Sequence, residues 1–299
     1  MCGIVGLFLK NPDLRPRLGA LFTPMLEEMT SRGPDSAGVA FYRDPAPEGA
    51  IKVTLFHDDD EYDWSALLDR LGDAMAIDLS GHVRGSHFVL TATTDDVTLR
   101  QHLAEHAPGV RIMGIGTAIE IYKEKGVPTA VAERFGLTEL EGTHALGHTR
   151  MATESAVTTQ HSHPFSTGRD LCLVHNGSLS NHNRLRRRLG RHGVAFESDN
   201  DSEVAAGFLT HRLAEGATLA EAMEAGLDDL DGFFTFAVGT RDGFAVLRDP
   251  IACKPAVLAE TDDWVAMGSE FRAIAPLPGS DTATVWEPEP GRIYTWGQG

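Results

Sequence analysis

Cysteine is scarce in this sequence. The three present, Cys2, Cys172 and Cys253, are odd in number and lack C-x-x-C spacing. A disulfide framework or zinc ribbon is therefore not expected, and a reducing, cytoplasmic setting is. Basic residues are in deficit: 26 Lys+Arg stand against 43 Asp+Glu, a formal charge of −17. Nucleic-acid binding needs a basic face to displace counterions, so that class is set aside. Long apolar runs are missing too, and nothing approaches the roughly 20 residues of a membrane span. The opening MCGIVGLFLKNP is short and has no basic leader, unlike a secretory signal. Neither an internal repeat nor a low-complexity linker is visible. What is present suffices for a core: 299 residues at 42% hydrophobic, in one large domain or two modest ones.

Glycine and proline, 31 and 15 of them, separate short apolar runs that read as strands. These are IVGLF (4–8), GVAFY (38–42), IKVTLF (51–56), HFVLTAT (87–93), VRIMGIG (110–116), HALGHTR (144–150), LCLVHNG (171–177), FFTFAVGT (233–240), FAVLRD (244–249), PAVLAE (255–260) and WVAMGS (264–269). Helical spacing puts Leu21, Phe22, Met25, Leu26 and Met29 on one face of 18–29, and Val204, Phe208 and Leu213 on one face of 202–214. Many strands in succession favour antiparallel sheets covered by helices. Within 50–140, strand 87–93, helix 96–106, strand 110–116 and a helix near 128–135 suggest an inserted βαβα subdomain at about 80–140. NRLRRRLGRH (183–192) reads as a solvated helix face or as a docking face for an acidic partner.

Five places could carry chemistry. Cys2 becomes N-terminal if Met1 is removed, and would then hold a thiol and an α-amine of pKa about 7.7–8.0 on one residue. The thiolate is the nucleophile and the amine can take its proton; the alternative is a small buried residue opening a strand. RGPDSAG (32–38) is a turn carrying Arg32 between helix and strand. GHTRMAT (147–153) ends a strand on Arg150, with Thr153 three residues on. An arginine there can clamp a carboxylate with two parallel bonds, or form a surface salt bridge. Asn176-Gly177 is either an ordinary turn or an oxyanion hole, made of the Gly177 N–H and the Asn176 amide. Asp201, in DNDSEV (199–204), is either a helix N-cap or an acceptor for a substrate ammonium. His161 and His163 have no further ligand at convincing spacing, so no metal site is expected. Together, a thiol nucleophile, a carboxylate clamp, an ammonium acceptor and an oxyanion hole suit an amino-acid head group with a carboxamide at its far end.

MCGIVGLF, RGPDSAG, GHTRMAT, HNGSLSN and DSEV, followed by LRDPIACKP (247–255) and GSEFRAI (268–274), occur in the order typical of class II glutamine amidotransferases. The sequence resembles these N-terminal-nucleophile glutaminases along nearly its whole length. The resemblance implies an α+β fold, a four-layer α/β/β/α sandwich of two antiparallel sheets, over 1–299 with the subdomain inserted. It implies Cys2 as nucleophile, Asn176 and Gly177 as oxyanion hole, Arg150 on the glutamine carboxylate and Asp201 on its ammonium. Thr153 becomes a pocket residue, and Arg32 a residue of the turn beside the nucleophile and substrate. Met151 stands where many relatives have an aromatic, and Glu154 where a histidine is common. With about 25 residues after GSEFRAI, the chain is most similar to the small separate amidotransferase subunits of glutamate-synthase-like complexes, those of the N-methylglutamate synthase type. That implies L-glutamine as substrate, no cofactor on this chain and a hetero-oligomeric partner carrying flavin (FMN). The competing readings are a stand-alone γ-glutamyl amide hydrolase and a non-catalytic structural subunit.

Overall fold

The structure, a computed structural model, describes residues 2–151 and 157–297. Strand β1 (Gly3–Leu9) sets the architecture, because it is apolar on both faces. Val5, Leu7 and Leu9 face one core, and Ile4 faces another. A strand of this kind has to be covered twice.

β1 lies in a seven-stranded antiparallel sheet, ordered β14 (Thr284–Trp286), β12 (Val257–Glu260), β13 (Trp264–Gly268), β1, β8 (His144–Arg150), β2 (Ser36–Tyr42) and β7 (Ile119–Lys125). Helices α1 (Leu18–Glu27) and α4 (Pro128–Phe135) cover its outer face with Phe22, Met25, Val131 and Phe135. The inner face packs on a second antiparallel sheet, ordered β15 (Ile293–Gly297), β11 (Gly243–Arg248), β10 (Gly232–Thr240) and β9 (Cys172–Leu179). Ile4, Leu146, Val174, Phe244, Val246 and Met267 interdigitate between the two sheets. Helices α5 (His182–Gly190), α6 (Asp201–Ala214) and α7 (Leu219–Asp229) close the far side through Leu185, Leu189, Phe208 and Met223. The layers are thus helix, sheet, sheet, helix.

A third sheet stands apart. β3 (Ile51–Phe56), α2 (Trp64–Met75), β4 (Leu79–Arg84), β5 (His87–Ala92), α3 (Asp96–His106) and β6 (Arg111–Gly116) follow one another, and the strands order as β4, β5, β3, β6. This βαββαβ arrangement is the split-βαβ, ferredoxin-like motif, with its own core of Trp64, Leu67, Leu71, Phe88, Leu90, Leu99 and Leu103. The separate sheet therefore runs from Ile51 to Gly116 rather than from about 80 to 140. β7 and α4 belong to the main body, and β4 was hidden because it is an edge strand with little buried surface. On leaving this unit the chain is pinned by Asp170, whose carboxylate accepts from the N–H groups of Thr117, Ala118 and Ile119 and from Thr117 Oγ1 at 2.8–3.0 Å.

No helix among the described residues is long and apolar enough to cross a membrane.

Candidate functional site

Cys2 sits where β1 begins. β1 pairs with β8 so that Gly3 opposes Thr149 and Ile4 opposes His148. Alternation along a strand then puts Cys2, Ile4, His148 and Arg150 on one face. The Cys2 thiol approaches the Met151 carbonyl at 3.9 Å. Its backbone carbonyl accepts from Arg32 Nε at 3.0 Å and from Asn176 Nδ2 at 3.1 Å. Burial pushes the thiol up, but His148, the Met151 backbone and the N-terminal charge together outweigh burial and bring it down to about 6. By contrast, burial pushes the Cys172 thiol up to about 12, and Cys253 is exposed.

Arg32, expected in the turn beside the nucleophile and substrate, grips the Cys2 backbone. Its guanidinium also pairs with Glu270, which Arg272 Nε holds at 2.7 Å from the other side. The turn can come this close because residue 33 is glycine. A Cβ there would sit 2.3 Å from the Thr149 carbonyl carbon. Ser269 completes the clamp, accepting from Ile4 N at 2.8 Å and donating its own N–H to the Ile4 carbonyl at 2.9 Å.

Asn176 and Gly177 are consecutive on β9, and Asn176 faces Cys2. Both Asn176 amide hydrogens have acceptors, Cys2 O at 3.1 Å and Ser269 Oγ at 3.3 Å. Gly177 has φ +149°, and a Cβ there would lie 2.0 Å from the Phe233 carbonyl oxygen. Asp201 is the first residue of α6, and the cap is Asn200, whose side chain accepts from Ser202 N. The Asp201 carboxylate accepts from Leu179 N at 2.8 Å and lies 4.0 Å from His175 Nδ1. The loop before it is tethered by Arg186, which donates to the carbonyls of Ser198 and Asn200. Arg150 ends β8, is buried, and donates to the His161 carbonyl at 3.2 Å. Thr153 and Glu154 lie outside the described residues, as does Met1.

Reading from sequence missed a buried histidine chain behind the thiol. His148 stacks on His163 with ring centroids 4.0 Å apart. His163 Nε2 and His175 Nδ1 both bond Ser202 Oγ, at 2.9 and 2.8 Å. Burial drives His163 well below the usual imidazole range and His175 to about 4, so both are neutral at pH 7. The signal lay in H-T-R, H-P and H-N-G, each a histidine beside a residue already singled out. His161 turns away from His163 to Asp199. Among the described residues, the group with metal-ligand spacing is His102, Glu105 and His106 on α3 instead. A cavity of about 350 Å³ beside α6, whose lining includes Lys123, Arg100 and Glu203, does not include Cys2.

Residues 148–276 match the glutamine amidotransferase domain family. The chain is 56% identical over 99% of its length to the glutamine amidotransferase-like protein GlxB of Rhizobium meliloti, covering 98% of that protein. It is 31% identical over 64% of its length to an amidophosphoribosyltransferase of Methanocaldococcus jannaschii, covering 41% of it. Among solved structures, the glutamine phosphoribosylpyrophosphate amidotransferase of B. subtilis shares the fold at TM-score 0.63 and 19% identity. That match takes in 99% of this chain, which spans about half (47%) of that structure. With the N-terminal-nucleophile sandwich and an end-to-end relative in agreement, the chain belongs to the class II glutamine amidotransferase family, among its GlxB-like members.

Proposed function

We propose that this chain hydrolyses L-glutamine to glutamate and ammonia through a thioester on Cys2, as the amidotransferase subunit of a glutamate-synthase-like complex of the N-methylglutamate synthase type. One observation carries the reading: the Cys2 backbone is gripped from two sides by Arg32 and Asn176, while its thiol is drawn down to about 6. In this reading Met1 is removed and the freed α-amine relays protons. The thiolate attacks the glutamine Cδ, the C–N bond breaks, ammonia leaves with a relayed proton, and water hydrolyses the thioester. Gly177 N–H and the Asn176 amide hold the oxyanion. Asn176 can do this by giving up the longer of its two bonds, the one to Ser269 Oγ at 3.3 Å. Arg150 and Asp201 bind the head group, which restricts the substrate and removes part of the entropic barrier, and Thr153 lines the pocket.

The rest of the reading concerns the assembly. The subunit works in the cytoplasm, without nucleic acid, membrane or a cofactor of its own. A flavoprotein partner carries FMN and receives the ammonia. The exposed arginines Arg184 and Arg187 of α5, with Arg191 just after it, on a chain of net charge −17, support a docking face for an acidic surface.

Intact mass before and after treatment with 6-diazo-5-oxo-norleucine tests the chemistry. The expected result is loss of Met1 and one adduct on Cys2, with Cys2→Ser lowering glutamate release by at least about a thousandfold. Retained Met1 without an adduct, even with candidate partner subunits present, would overturn it.

A further inference from the structure

We propose that His102, Glu105 and His106, at the C-terminal end of α3 on the inserted unit, bind a divalent transition-metal ion of the zinc class. The site goes beyond the glutaminase reading and does not rest on it, because none of the residues assigned to glutamine lies between Ile51 and Gly116.

Three observations carry it. The first is spacing. HLAEH (102–106) places its donors at i, i+3 and i+4, which a helix brings to one side. The ligand atoms of all three residues lie within 4.8 Å of one another. Glu105 Oε2 is 4.0 Å from His106 Nε2, and the two imidazoles stack 12° from parallel with centroids 5.7 Å apart. Donors on one zinc at about 2.1 Å each stand roughly 3.4 Å apart, so side-chain movements of about an ångström close the set. The second is that these donors are uncommitted. His102 Nδ1 is buried without a hydrogen-bond partner among the described residues, whereas buried polar atoms are ordinarily paired. The approach of Glu105 to His106 is too long for a hydrogen bond. The third is place. His106 closes α3, where the carbonyl end of a helix attracts positive charge. Leu99 and Leu103 anchor the same turns in the core of the inserted unit. The backbone beneath the donors is therefore fixed, while Glu105 and His106 stay exposed.

The donor set chooses the ion. Two imidazoles and a carboxylate suit zinc, nickel and copper(II). Calcium takes six to eight oxygens and magnesium a near-ideal octahedron, which this set does not supply. With neutral imidazoles, the single carboxylate leaves a net positive charge on the ion, which a chain of net charge −17 tolerates. Because the histidines are one helical turn apart, the bound ion cross-links the end of α3 and stabilises the folded state.

Calorimetric titration of the tag-free, full-length chain with zinc chloride tests the site. One ion should bind per chain below millimolar concentration, and Cys2→Ser should bind it equally well. His102→Ala and His106→Ala should each weaken binding by at least about tenfold. Zinc should raise the melting temperature of the wild type and leave that of the two histidine variants unchanged. No binding below millimolar zinc, unchanged affinity in either folded histidine variant, loss of binding in Cys2→Ser, or equal affinity for magnesium overturns the proposal. If the histidine variants fail to fold, modification of the wild type by diethyl pyrocarbonate decides. Zinc should protect the peptide carrying His102 and His106; protection confined to other histidines overturns the site. No arm uses glutamine, so failure here leaves the glutaminase reading standing, and failure of that reading leaves this site standing.

Discussion

Two buried polar clusters in this molecule are built in opposite ways. On β7, Glu120 is saturated. Arg43 and Lys52 each reach it at 3.0 Å, and the Tyr122 hydroxyl donates to it at 2.7 Å. On the other face of the same strand, Lys123 donates to the carbonyls of Gln160, Ser162 and Pro164 at 3.0–3.4 Å. Behind Cys2 the reverse holds. Both nitrogens of His148, Nδ1 of His163, Nε2 of His175 and Oδ1 of Asn176 are buried without a hydrogen-bond partner among the described residues. Buried polar atoms are ordinarily paired. A saturated cluster joins pieces of the fold, here β3 of the inserted unit to β7 of the sandwich. An unsaturated one leaves donors and acceptors open to whatever group enters beside them.

Breaking the saturated cluster should cost the most stability. Glu120→Gln leaves Arg43 and Lys52 without their counter-ion and should lower unfolding free energy by about 3 kcal/mol, measured by urea titration, with Cys2 alkylation unchanged. Burial pushes the Glu120 carboxyl up, but Arg43 and Lys52 outweigh that and hold it below the usual range. Its folded value is thus depressed. The contribution is complete above the unfolded pKa of about 4.3 and is lost as pH falls through the folded value. The stability gap between wild type and Glu120→Gln should therefore be open at pH 7 and close in acid. A gap that persists there would mean the cluster acts through packing and not charge.

Enlarging the unsaturated cluster should cost less. Ser202→Ala strips the partner from His163 Nε2 and His175 Nδ1 together, and should destabilise by about 1–3 kcal/mol. Because His163 no longer seats the His148 ring, kcat should also fall; an unchanged kcat would uncouple the chain from catalysis. The smallest effect is expected from Arg32→Lys. Its guanidinium holds the Cys2 carbonyl rather than substrate, so kcat should fall by about tenfold with KM unchanged. A raised KM would restore Arg32 to the substrate pocket.

Much of the sandwich was legible because its strands are apolar on alternate or on both faces. HALGHTR is β8 to the residue, and the second sheet follows FFTFAVGT and FAVLRD closely. Elements with weak periodicity were not. The edge strand β4 buries little, and α7 was overlooked although Thr218 and Glu221 form a capping box that marks its start. At the site, Cys2, Arg150, Asn176, Gly177 and Asp201 stood out as candidates by residue type and motif alone. The contact Arg32 makes was not legible, because its partner is a backbone carbonyl 30 residues away.

Local chemistry in the chain determined the elements and the order of its motifs: a cysteine at position 2, a turn that comes close through Gly33, and an arginine closing a strand. Those properties depend on side-chain type and on neighbours a few residues away. Only tertiary structure decided that His148, His163 and His175 would lie together in one buried cluster with Ser202. They come from β8, a loop and β9, and burial, not composition, makes two of them neutral. Such an environment exists only once the two sheets and α6 have closed around it, because desolvation and proximity belong to the packed molecule.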